Sequence, residues 1–174
     1  MERRNTILLI IDVQQKLMPV IDDAENVLRN IERLVRGCHI LGVPAMLTEQ
    51  YVKGLGPTVE PVRKAFEETF GYQPIEKMCF SAAEHLPTGR RQVLVAGVET
   101  HVCVYQTVSG LLAAGFEVTM VADAVSSRTP RNREIALHRL VSDGAKLSST
   151  EMALFELLGV SGTDEFRAIS RLIK

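Results

Sequence analysis

The feature that most constrains this chain is a pair of short runs that are apolar throughout. Ile7-Leu8-Leu9-Ile10-Ile11 is one, and Val93-Leu94-Val95-Ala96-Gly97-Val98 is the other. A strand with one wet face alternates apolar and polar residues, because successive side chains point to opposite faces. Runs without alternation are covered on both faces, as in a parallel sheet sandwiched between helices.

The intervening pattern agrees. A strand over Thr6–Ile11 is followed by a helical repeat of Val27, Ile31, Leu34, Val35, Cys38 and Leu41, with Asp22 or Asp23 as its cap and Gly42 closing it. Further strands are predicted over 43–48, weakly over 74–77, then over 93–98, 117–122 and from 145 to 147. Helices are predicted over 59–70, one or two turns at 81–86, 101–114, from Thr129-Pro130 to about 143, and over 164–172. Ser148-Ser149-Thr150-Glu151 reads as a capping box opening a helix to 158. Strands alternating with helices give an α/β three-layer fold with a mostly parallel sheet. With 174 residues, 46% of them hydrophobic, and no linker-like stretch, a single domain over 1–174 is expected.

Charge and composition exclude several classes. Lys plus Arg number 20 against 21 Asp plus Glu, so no general nucleic-acid coat is present, and the absence of Trp argues against a stacking platform for single strands. No apolar run approaches the roughly 20 residues of a membrane span, and the N-terminal run is too short for a signal peptide. Three cysteines, an odd number, make a disulfide framework improbable and a reducing cytoplasm the expected compartment.

In a parallel sheet, sites lie beyond the carboxyl ends of the strands, where strand order reverses. Asp12 ends the first strand, Lys77 ends the weak third, and Cys103 follows the strong central strand in the first turn of the next helix. A thiol there feels the positive end of the helix dipole, and a nearby lysine would lower its pKa further. That is what a nucleophilic cysteine needs, with Asp12 as general base or as the group that holds the ammonium. The alternative is that Cys103 is a small buried hydrophobe, and position alone leaves both readings open. Cys38 shares the apolar face of its helix and reads as core; Cys79, two residues past Lys77, either neighbours the site or simply packs. Gln14, Glu49, Gln50, Tyr51, Thr100 and His101 are placed to line a pocket, while Asp123 and Arg128 read as an ion pair or cap that fixes a loop.

Four segments resemble the isochorismatase-like cysteine hydrolases: Leu8-Leu9-Ile10-Ile11-Asp12-Val13-Gln14, Lys77-Met78-Cys79-Phe80-Ser81, Ala96-Gly97-Val98-Glu99-Thr100-His101-Val102-Cys103, and Val121-Ala122-Asp123-Ala124-Val125-Ser126-Ser127-Arg128. Thr48-Glu49-Gln50-Tyr51 and Lys53-Gly54-Leu55-Gly56 are most similar to the isochorismatase domain-containing branch. The resemblance implies a six-stranded parallel sheet in the order 3-2-1-4-5-6, an Asp12–Lys77–Cys103 triad, a cis peptide at Val98–Glu99, and an oxyanion hole from the backbone N–H groups of Glu99 and Cys103. Relatives that bind a catalytic metal carry an Asp-x-His pair where this chain has Glu49-Gln50-Tyr51. No catalytic metal and no cofactor are therefore expected, and nicotinamide is not the expected substrate.

The resulting expectation is a hydrolase that cleaves a small amide-like substrate through a cysteine thioester, with Gln14, Gln50, Tyr51 and Thr100 binding the substrate. An idle binding or regulatory member of the family, and a thiol redox sensor, are the alternatives. A phosphatase with two aspartates at the first strand end is excluded, because position 14 is Gln. The family forms dimers and larger closed assemblies, which implies a homo-oligomer. The helix at 101–114, with no charged side chain between Thr100 and Phe116, needs cover from the 131–143 helix or from another subunit.

Overall fold

The computed structural model describes residues 1–87 and 89–174. Its centre is a six-stranded parallel sheet in the order β3-β2-β1-β4-β5-β6. The strands are β1 (Thr6–Ile11), β2 (Ala45–Gln50), β3 (Ile75–Lys77), β4 (Gln92–Val98), β5 (Glu117–Ser126) and β6 (Lys146–Ser148). The unbroken apolar runs are the two central strands, and every residue of β1 is buried.

Each face of the sheet has its own core. Leu8 and Ile10 of β1, with Leu94, Ala96 and Val98 of β4, pack against α1 (Ala24–Ile40), α3 (Glu60–Glu67), α6 (Thr150–Leu158) and α7 (Asp164–Ile173). Ile7, Leu9 and Ile11, with Val93 and Val95, pack against α4 (Tyr105–Ala113) and α5 (Pro130–Ser142). A short helix, α2 (Val52–Leu55), follows β2. Neighbouring residues of one strand thus serve opposite cores, which is why the runs do not alternate.

Gly97 is required where it stands. Its φ is +123°, and a Cβ there would lie 2.1 Å from the carbonyl oxygen of Ile11 on the neighbouring strand. Just beyond that contact the Val98–Glu99 peptide is cis. The central strands end level with one another, Ile11 pairing with Thr48 on one side and Gly97 on the other.

Several boundaries differ from the sequence expectation. The second strand is shifted toward Gln50, the helix expected over 59–70 is shorter, and 81–86 holds a single 3-10 turn at Ala83–His85. β5 continues to Ser126, because its register against β4 shifts between Val95 and Gly97 and brings Val125 and Ser126 back into pairing; such an irregularity hides a continued strand from periodicity. Asp23 precedes α1 in a left-handed conformation and makes no side-chain cap bond. Its carboxylate accepts instead from the side chain of Asn26 at 2.7 Å. The cap of α6 is Ser149, accepting from the Met152 N–H at 3.2 Å, rather than Ser148. Thr129 caps α5 as expected, with Pro130 in its first turn.

The helix expected over 101–114 opens as a π-helical stretch, Thr100–Val104, and becomes α-helical only at Tyr105. Cys103 therefore lies in a widened turn, a feature concentrated at functional sites. One face of α4 is covered within the chain: Thr107, Val108 and Leu111 are buried, and it packs on α5 and on the Ala83–His85 turn, while Gln106 and Ala113 are exposed. Among the described residues, no helix is long and apolar enough to cross a membrane.

Candidate active site

The order of the sheet assembles the site. β1 and β3 both flank β2, so Asp12 at the end of one and Lys77 at the end of the other meet over the end of β2. The Lys77 ammonium donates to Asp12 Oδ2 at 2.6 Å, and both side chains are fully buried. β2 supplies two more polar partners. Thr48 Oγ1 donates to Asp12 Oδ1 at 2.7 Å, and Gln50 Oε1 accepts from Lys77 Nζ at 2.9 Å. The carbonyls of Phe80 and Cys79 accept from the same nitrogen at 3.0 and 3.3 Å. A buried charge without such partners would cost several kcal/mol; here each oxygen of Asp12 and the lysine ammonium has at least one.

Asp12 has φ +53°, the left-handed region. Non-glycine residues rarely adopt it, and an outlier of this kind at a strand end is a common mark of a functional position.

Cys103 is almost buried, at 6% exposure. Its thiol pKa is raised, and the sequence expectation of a lowered one is reversed. Burial is the largest cause, followed by the negative charge of Asp12, while Lys77 pulls the other way. The reason is geometric: the Lys77 charge is already matched by Asp12, and the turn holding Cys103 is not the first turn of a regular α-helix. Cys103 rests as a thiol with a carboxylate beside it. Cys38 is buried in the core as expected, its pKa pushed up to about 12 by burial, and Cys79 is exposed.

The side chains expected to bind substrate divide into two groups. Gln14 is fully buried and its amide is occupied by backbone: it donates to the carbonyls of Gln50 and Gly56 at 2.9 and 2.6 Å and accepts from the Gln50 N–H at 2.7 Å. It holds the loop after β2 against the end of β1. Gln50 is likewise engaged, with Lys77 through Oε1 and with the Met78 carbonyl through Nε2 at 2.8 Å. Tyr51, by contrast, is exposed, and together with Val52, Lys53, Glu76, Lys77 and Met78 it lines a cavity of about 270 Å³. Thr100 is buried, and its hydroxyl has no hydrogen-bond partner among the described residues.

Three other expectations change partners. Glu49 does not face the cavity: Oε1 accepts from the Thr58 N–H and hydroxyl at 2.7 Å each and from the Tyr72 hydroxyl. Burial and that carboxylate raise the Tyr72 pKa. Arg128 pairs with Glu99, Nε to Oε2 at 3.0 Å, and not with Asp123. Asp123 accepts from the Thr150 N–H and hydroxyl at 2.8 and 3.0 Å, tying β5 to the start of α6. His101 sits 3.0 Å from the Ser127 hydroxyl through Nδ1. Sequence reasoning overlooked Thr48 as a partner of Asp12; its signal was a buried hydroxyl at a strand end beside two other polar residues.

Comparison with known proteins points one way. Residues 6–152 match the family model described as the isochorismatase domain. The chain is 38% identical over 178 residues to a secreted isochorismatase effector of Phytophthora sojae (strain P6497), covering 98% of this chain and 85% of that protein. It is 38% identical over 177 residues to isochorismatase domain-containing protein 2 of Danio rerio, covering 98% and 87%. A structure of MAR1 ribonuclease from Caenorhabditis elegans superposes with a TM-score of 0.92 at 33% identity, over 99% of this chain and 91% of that one.

Proposed function

The chain belongs to the isochorismatase family of hydrolases, and from that premise we propose that it cleaves a small amide-like compound at its C–N bond through a thioester on Cys103. One observation carries the reading: a buried thiol lies in the field of a carboxylate whose partners, Lys77 at 2.6 Å and Thr48 at 2.7 Å, hold it in place. A nucleophile next to an oriented base is the arrangement that covalent acyl transfer needs.

In the proposed cycle Asp12 takes the Cys103 proton as Sγ bonds to the substrate carbonyl carbon. The carbonyl π pair moves to oxygen, which the N–H groups of Glu99 and Cys103 receive as an oxyanion hole. Collapse expels the amine, which leaves with the proton held by Asp12, and the acyl group remains on sulfur. Water then attacks the thioester, giving a proton to Asp12. The acid departs and that proton returns to sulfur. Lys77 holds Asp12 throughout and offsets the charge that develops beside it. Thr100, whose hydroxyl is unpaired among the described residues, and Tyr51 at the cavity are assigned to substrate; Gln14 and Gln50 are assigned to holding the loop and the lysine. No metal or cofactor enters the cycle.

The test is incubation with a library of amides and carbamoyl compounds, followed by intact-protein mass spectrometry. An acyl adduct on Cys103 identifies the substrate's acyl part, and Cys103→Ala must abolish both adduct and turnover. Turnover retained in that variant overturns the mechanism. RNA cleavage is a second reading, supported by the description of the C. elegans relative as a ribonuclease; cleavage of labelled RNA that disappears in Cys103→Ala would favour it.

A homo-oligomer is also proposed, supported by the exposed Tyr51, Met78 and Phe80 around the Lys77 end of the site. Light scattering that finds a single-chain mass at micromolar concentration, with full activity, would refute it. Three free cysteines support a reducing compartment, although the P. sojae relative is described as secreted.

A further inference from the structure

Between β3 and β4, three metal-ligating side chains lie together: Cys79, Glu84 and His85. Cys79 Sγ is 3.7 Å from Glu84 Oε1, and that oxygen is 4.0 Å from His85 Nε2. The three ligand atoms all fall within 4.8 Å of one another. The Glu84–His85 separation is too long for a hydrogen bond. Around a tetrahedral zinc, with bonds of about 2.0 to 2.3 Å, ligand atoms stand roughly 3.3 to 3.8 Å apart. Small side-chain rotations would bring the trio to that spacing.

A second observation is independent of the clustering. His85 Nε2 is buried and has no hydrogen-bond partner among the described residues. Buried polar atoms are nearly always satisfied, and an unpaired imidazole nitrogen facing a carboxylate and a thiol is satisfied by a cation held between them.

We propose that Cys79, Glu84 and His85 form a binding site for a divalent transition ion of the zinc type. The donor set selects the ion. A thiolate with an imidazole favours zinc over magnesium or calcium, which prefer oxygen ligands alone. Cys79 and Glu84 are exposed, so the ion has a path of entry and a water can complete the fourth position. The site stands whether or not the hydrolase cycle does. It is nonetheless linked to Lys77, because the carbonyls of Cys79 and Phe80 both accept from the lysine ammonium.

The test uses the full chain after chelator treatment, titrated with zinc chloride by calorimetry and with cobalt chloride by absorption. One equivalent of zinc is expected, together with a thiolate-to-cobalt charge-transfer band in the near ultraviolet. Cys79→Ser should remove the band. His85→Ala and Glu84→Gln should each weaken binding beyond the roughly 10- to 100-fold typical of losing an outer partner alone. Cys103→Ala should bind as tightly as the parent. Circular dichroism confirms that each variant is folded, and the exposed Cys79 and Glu84 can be replaced without opening the core. No zinc uptake by the parent chain, a band that survives in Cys79→Ser, or binding that is lost in Cys103→Ala would each overturn the proposal.

Discussion

Replacing Lys77 with Met isolates what the buried ion pair does for the fold. Lys77 and Asp12 are 2.6 Å apart with side chains at 0% exposure, so neither charge has water to fall back on. Lys77→Met leaves the Asp12 carboxylate with Thr48 as its remaining side-chain partner and strips the Gln50 oxygen and two carbonyls of a donor. Breaking a buried pair from one side costs about 3–5 kcal/mol, because the surviving charge is uncompensated. For a chain of this size each kcal/mol moves the melting temperature by about 2–4 °C, so a fall of about 6–20 °C is expected. Urea unfolding should report the same loss with an unchanged slope. The double variant Asp12→Asn, Lys77→Met removes both charges and should regain a large part of the loss, with a coupling energy well above the few tenths of a kcal/mol between independent sites. If Lys77→Met unfolds within about 1 kcal/mol of the parent, or if the double variant simply sums the two single losses, the pair is not acting as a desolvated unit.

Asp12→Asn removes the negative charge that helps raise the Cys103 pKa, so in a Cys79→Ser background alkylation of Cys103 should begin at lower pH while turnover is lost; alkylation shifted to higher pH would reverse the sign of the argument. Gly97→Ala puts a methyl 2.1 Å from the Ile11 carbonyl at φ +123°, so β1 and β4 must separate, and a loss above about 3 kcal/mol by denaturant titration is expected; a near-neutral variant would refute the close approach. Between pH 9.0 and about 12 the unfolded chain releases the Cys38 proton while the folded chain keeps it, so stability falls with rising pH there, by up to about 1.4 kcal/mol per pH unit from this group; Cys38→Ala should flatten that slope, and an unchanged slope would show that the thiol is not so buried.

Much of the fold was legible because burial on both faces leaves a mark in composition. Ile7 to Ile11 and Val93 to Val98 could only be central strands, and the repeat from Val27 to Leu41 could only be an amphipathic helix. Strand order was not legible from pattern, and it came from resemblance to a family. What pattern misread were places where the backbone departs from its period. The register shift beside Gly97 carries β5 past Asp123 to Ser126, and a polar residue in mid-strand looks like its end. The π-helical stretch at Thr100–Val104 has the same composition as an α-helix start; only the hydrogen bonds distinguish them.

The site divides along the same line. Asp12, Lys77 and Cys103 were readable as positions, because a parallel sheet sends its strand ends to one edge and the chain has few ionisable residues there. The state of Cys103 was not readable, because it depends on which charge reaches the thiol unmatched. Read singly, Lys77 is a cation that should ionise a neighbouring cysteine. In the folded chain it is already matched by Asp12 at 2.6 Å, and burial and the carboxylate outweigh its pull on the sulfur. A lysine that ionised the thiol directly would make Cys103 reactive toward any electrophile at rest. A lysine that instead holds a base beside a protonated thiol defers ionisation to the moment when a bound carbonyl can accept the sulfur. The two cases differ in one observable: unsubstituted Cys103 should react slowly with small neutral alkylating agents near neutral pH, and much faster with a carbonyl substrate that fits the site. Fast alkylation at pH 7 would mean that the thiolate pre-exists and that Asp12 is not its base.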